Sequence, residues 1–149
     1  MPSPIMIGLY ALATAVLLYV SWTDIQTRRI PNAVILPAIL VALGVALFTG
    51  NAGAALAGAV IGPLPLIISR FISGATQVGM GDIKLAIFIG LVLGYPLVLY
   101  GVIASLVLSL IFGGIGMARG RYTLRSKLPF GPFLAAGALA MMVVALLPI

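Results

Sequence analysis

The chain carries two acidic side chains, Asp24 and Asp82, against eight Lys and Arg and no His. Each stands at the margin of an apolar stretch, and Asp82 closes the tetrapeptide Gly79-Met80-Gly81-Asp82. Two carboxylates can divide the work of a hydrolase, one drawing a proton from water and the other giving one to the substrate. Histidine and cysteine are both absent. That removes Ser–His and Cys–His hydrolysis, thiolate metal sites and disulfides. With two carboxylates as the only strong anionic ligands, no tightly held metal or other cofactor is expected.

The elements that must position these acids are membrane helices. The 149 residues are 63% hydrophobic and 7% charged, against about 25% charged in soluble domains. The composition therefore predicts an all-α polytopic membrane protein, one domain over residues 1–149. A span needs about 20 apolar residues. Candidate spans run from Pro4 to Trp22, Ala33 to Thr49 (with Pro37 inside), Gly53 to Ile72 (kinked at Pro63 and Pro65), Ile83 to Gly94, Pro96 to Met117 and Pro132 to Leu147. Gly94-Tyr95-Pro96 divides an apolar run too long for one helix, because Gly ends helices and Pro starts them.

Six helices joined by short loops put every basic residue on one side: Arg28 and Arg29, Arg70 and Lys84, then Arg119, Arg121, Arg125 and Lys127. The positive-inside rule makes that side cytoplasmic, with both termini outside and both aspartates facing the cytoplasm. The net charge of +6 is thus read as orientation rather than nucleic-acid binding. No Lys or Arg precedes Arg28, so the first apolar stretch is expected to be a span and not a cleavable signal. The fourth span is short, and its start is expected to lie below the membrane surface, where Gly79 and Gly81 let the backbone turn tightly and approach its neighbours.

Each candidate has a plainer reading. Asp82 is placed to cap the following helix by accepting backbone N–H bonds, although an ionisable group near lipid is expensive and usually functional. Asp24 can pair with Arg28 one turn later. If the two acids meet, they cannot both ionise easily, and the pair would share one proton, the working state of an aspartyl protease; either can then be base or acid. Lys84 follows Asp82 by two positions, points elsewhere on a helix, and is expected to snorkel to the interface, to tune the pair or to contact substrate. Gln26, Thr27, Asn32 and Gln77 add polar groups near the same face. Pro129-Phe130-Gly131-Pro132-Phe133 is a stiff turn into the last helix or a wall shaped for an extended peptide.

Together, Asp24 with Arg29-Ile30-Pro31-Asn32, Gly79-Met80-Gly81-Asp82-Ile83-Lys84-Leu85, and Pro129-Phe130-Gly131-Pro132-Phe133-Leu134-Ala135 resemble the type IV prepilin peptidases, membrane aspartyl proteases with a Gly-x-Gly-Asp motif. The resemblance runs from about Asp24 to Gly137. It implies catalytic roles for Asp24 and Asp82, with Gly79, Gly81, Lys84, Asn32, Pro129, Gly131 and Pro132 supporting the motifs or positioning substrate. It further implies cleavage of a basic leader from type IV prepilin or pseudopilin precursors at the cytoplasmic face of the inner membrane, in the service of pilus assembly or protein secretion. Longer members carry a cysteine-rich region and methylate the new N-terminus. With no cysteine here, a peptidase-only short form is expected. A small proton-coupled transporter would use the same two carboxylates, but nearer the midplane and often with internal repeats. A purely structural subunit would tolerate replacement of both.

Overall fold

The computed structural model describes residues 2–74 and 78–148, and among these every regular element is helical. Helix α1 covers Pro4–Thr27, α2 Asn32–Phe48, α3 Ala52–Ile61, α4 Leu64–Ser73, α5 Met80–Leu93, α6 Leu97–Ala118 and α7 Gly131–Leu146. Seven elements make six rods, because α3 and α4 follow one another with only Gly62 and Pro63 between them, as the kink expected from Pro63 requires. The Gly94–Pro96 break also holds: α5 closes on Gly94 with φ 69°, and Pro96 opens α6.

Three of the rods, Pro4–Thr27, Ala52–Ser73 and Leu97–Ala118, are long and apolar enough to cross a bilayer. Large apolar side chains such as Leu40, Phe48, Phe71 and Leu110 face outward, the surface a hydrocarbon solvent tolerates and water does not.

Two boundaries differ from the sequence reading. Helix α1 runs a full turn past Trp22, so Asp24 rides on the helix rather than in the loop that follows it. The extension is polar, which is why hydropathy misses it, but Thr27 donates its hydroxyl to the Thr23 carbonyl at 2.8 Å and keeps the turn closed. Arg28 then caps α1 in the left-handed region (φ 53°), donating its N–H to the Asp24 carbonyl and reversing the chain. Helix α5 starts at Met80, three residues before the expected Ile83. At 14 residues it still rises only about 21 Å, short of a core of roughly 30 Å.

Short as it is, α5 is the hub. It packs against α1, α2, α3, α4, α6 and α7. From Ile83 to Leu93 only Lys84 and Ile87 escape full burial. A helix apolar all round belongs in a bundle core or in lipid, and here the other helices sheathe it. The sheath closes through small residues: Gly58 of α3 meets Gly90 of α5 so closely that a Cβ on either would collide with the other's backbone, the tight crossing that van der Waals packing in membranes favours.

Gly90→Ala should therefore destabilise the bundle by about 1–3 kcal/mol. Gly53→Ala, on the same α3 but with nothing within 4 Å of the new methyl, should stay within about 0.5 kcal/mol of the parent. Thermal unfolding in detergent compares the two. Equal stability would show that the α3–α5 crossing is looser than described.

Candidate active site

The N-terminal end of α5 and the C-terminal end of α1 meet at one end of the bundle. There Asp24 and Asp82 line a single cavity of about 320 Å³, together with Arg28, Arg29, Ile30, Asn32, Gly79, Met80, Gly81 and Lys84. Liquid water occupies about 30 Å³ per molecule, so the space holds water or a stretch of extended chain.

Asp24 is the more enclosed acid, with 5% of its surface exposed. Its Oδ2 accepts a 2.9 Å hydrogen bond from the backbone N–H of Gly131, the first residue of α7. That N–H has no intrahelical partner, so the helix end and the buried carboxylate satisfy one another. The Gly131 bond offsets part of the cost of burying this carboxylate. Glycine is needed at 131 because a Cβ there would stand 2.7 Å from Oδ2. The stiff turn of Pro129-Phe130-Gly131-Pro132-Phe133 therefore enters the site through Gly131, with Pro132 in the first turn of α7 and Phe130 as its cap. The partner expected for Asp24 from spacing, Arg28, acts by charge at a distance instead.

Asp82 occupies the third position of α5, just ahead of the apolar run that begins at Ile83. Its Oδ2 accepts from the Gly79 N–H at 3.3 Å, so the capping reading is borne out alongside its place in the cavity. Asp24 lies near enough for the two carboxyl charges to repel, and the Gly79 bond supports the charge of Asp82. Gly81 leaves room for Ile30, whose Cβ a methyl group would meet at 2.9 Å. Gly79 has φ −74° and ψ 152°, backbone any residue adopts, so the tight turn expected there is not what glycine supplies. Its missing side chain leaves the cavity wall open.

Lys84 does not point away. Its ammonium donates to Asn32 Oδ1 at 2.9 Å across the cavity, because helical side chains lean toward the N-terminus and the long stem reaches over the first turn of α5. Gln77 lies outside the described residues. Pro129 does not line this cavity.

Sequence reading passed over two features. Beyond orientation, the pairing of Arg28 with Asp24 and the motif place of Arg29, both arginines line the cavity. Asp82 also borders a second space of about 290 Å³, walled by Leu66, Leu106, Leu110, Leu128 and Phe130 with Ser69, Ser109, Ser126 and Lys127. No local pattern announces it, since its residues come from four separate segments. Asp82 thus stands between a cation-lined space and an apolar one.

The comparisons with known proteins agree on one family. A family model described as the type IV leader peptidase family matches residues 11–114, a stretch holding both acids. A prepilin leader peptidase/N-methyltransferase of Burkholderia pseudomallei is 34% identical over 93% of this chain and 47% of its own length. Proteins of the same name from Bacillus subtilis (35% identical, over 84% of this chain and 51% of the relative) and Stutzerimonas stutzeri (29%, over 91% and 49%) also match. The chain spans about half the length of the curated relatives it matches. No solved structure matches.

Gly131→Ala and Gly79→Ala make a matched pair. The first should cost about 1–3 kcal/mol as the methyl displaces the Asp24 carboxylate. The second, whose methyl meets nothing closer than 3.5 Å, should cost within about 0.5 kcal/mol. Unfolding midpoints in detergent decide, and the reverse order would contradict the packing described.

Proposed function

The chain belongs to the type IV leader peptidase family, and from that premise we propose that it is an aspartyl endopeptidase that cuts the basic leader from type IV prepilin or pseudopilin precursors at the cytoplasmic face of the membrane. The observation that carries the proposal is the meeting of the chain's two acidic side chains in one cavity. A bundle built only for stability gains nothing by facing two carboxylates toward each other, since each raises the cost of ionising the other.

In this reading Asp24 is the base and Asp82 the acid. The 2.9 Å bond from Gly131 favours ionised Asp24 and leaves its second oxygen free to take a proton from water. Asp82 has the longer and weaker bond, at 3.3 Å, and so the less supported charge. It holds the proton and presents it to the scissile carbonyl, stabilising the oxyanion that forms as water attacks. Collapse of the tetrahedral intermediate returns a proton from Asp24 to the leaving amine, and the pair is restored.

The surroundings suit a substrate that changes character at the cut. The space walled by Leu66, Leu106, Leu110, Leu128 and Phe130 fits apolar residues on one side of the scissile bond. Arg28, Arg29 and Lys84 do not complement a basic leader, so the leader's own charges stay in water and only its backbone enters. The basic residues on the site-bearing loops support a cytoplasmic orientation.

Asp24→Asn and Asp82→Asn, each isosteric, should leave an inserted, folded protein whose cleavage of a prepilin peptide falls by about 10²–10⁴-fold. Full cleavage by either variant would overturn the assignment, and proton-driven uptake by liposomes without cleavage would favour a transporter. The pH profile is a further check. The reaction needs one proton shared between the two acids, so kcat/KM should decline in base as the pair loses it. It should also decline in acid as Asp24 gains a proton. A rate that rises steadily with no decline in base would contradict a shared proton, whichever acid holds it.

A further inference from the structure

We propose that Arg70 is a positioning residue that holds Asp82 through a single peptide group. Arg70 lies in the last turn of α4, and its guanidinium donates to the Val78 carbonyl oxygen. The next atom along the chain from that carbonyl is the Gly79 nitrogen, whose N–H donates to Asp82 Oδ2. Carbonyl and N–H are the two ends of one planar unit. Fixing the carbonyl therefore fixes the direction in which the N–H points.

The arrangement does two things. Gly79 has no side chain to restrict its rotation, and a charged donor on the preceding carbonyl supplies the missing restraint. A guanidinium on the oxygen also draws charge through the amide, which makes the N–H a stronger donor, since hydrogen bonds in series polarise one another away from water. Arg70 thus acts on Asp82 from a different helix without touching it. The wider charge surroundings of Asp82 are Asp24 from α1, Arg28 and Arg29 from the turn after it, Lys84 on α5 itself, and Lys127 from the segment ahead of α7. Among these charged groups Arg70 alone bonds to the peptide that holds the carboxyl.

The inference rests on the reading of Asp82 as one of the two catalytic acids, but its test needs no substrate. The chain has no Glu and two Asp, so in an Asp24→Asn background Asp82 is the sole acidic side chain, and infrared difference spectra follow its carboxyl directly as pH is changed. A hydrogen bond to the ionised form favours that form. Arg70→Gln should accordingly raise the Asp82 midpoint, by roughly half a pH unit or more. The same substitution made together with Gly79→Pro, which removes the N–H at a φ that proline adopts, should add nothing to the midpoint of Gly79→Pro alone. Where Arg70→Gln fails to fold, Arg70→Lys is scored the same way: it keeps the charge and loses the fork, so an upward shift reports lost geometry. An unchanged midpoint in the Gly79 chain would overturn the proposal. So would an equal shift with and without the Gly79 N–H, because the charge would then act through space. A parent chain that cleaves no leader would count against the function and leave this titration intact.

Discussion

The structure depends on the enclosure of α5. This helix is too short to cross a bilayer alone, and the six other helices surround it. Enclosure has a consequence at each end. At the C-terminal end, Gly94 and Pro96 turn the chain directly into α6. At the N-terminal end, the first turn of α5 lies among the ends of α1, α4 and α7, and its single carboxylate is carried into the bundle with it. Gly58, Gly90 and Gly131 matter for the same reason: they permit the close approaches that bring the helices together and leave a cavity at the N-terminal end of α5.

Burying a carboxylate without hydrogen bonds is costly. Here the donors are backbone groups that helix geometry leaves over. Gly131 offers the first N–H of α7 to Asp24, and Gly79 offers the N–H ahead of α5 to Asp82. Both bonds fall on one oxygen of each carboxyl, leaving the other for water or substrate. Because the donors belong to the helix starts themselves, the acids are held by the fold and need no dedicated side-chain partners. Arg70 extends that logic by one bond, gripping the far side of the peptide that grips Asp82.

Much of this was legible in the chain. Six rods, the break at Gly94-Tyr95-Pro96 and the interruption at Pro63 follow from proline, glycine and run length, and the structure reproduces them. The acids stood out because the chain has only two. What was not legible lies where hydropathy and hydrogen bonding part company. Thr23, Gln26 and Thr27 are polar, so the first span seemed to end at Trp22, yet threonine hydroxyls returned to carbonyls carry the helix on to Thr27. Lys84 looked misdirected on a helical wheel, but its stem is long enough to reach Asn32. The partners of Asp24 and Arg70 are backbone atoms, and sequence does not display backbone atoms.

The central claim is that the C-terminal end of α1 and the N-terminal end of α5 bring Asp24 and Asp82 together on one side of the membrane. The chain contains no cysteine, so an Asp24→Cys, Asp82→Cys double variant carries the only two thiols in the molecule. In lipid vesicles a short bifunctional thiol reagent should link them within one chain, while each single variant stays unlinked. Two thiols that never link, and that react with impermeant reagents from opposite sides of the bilayer, would contradict the account at its root.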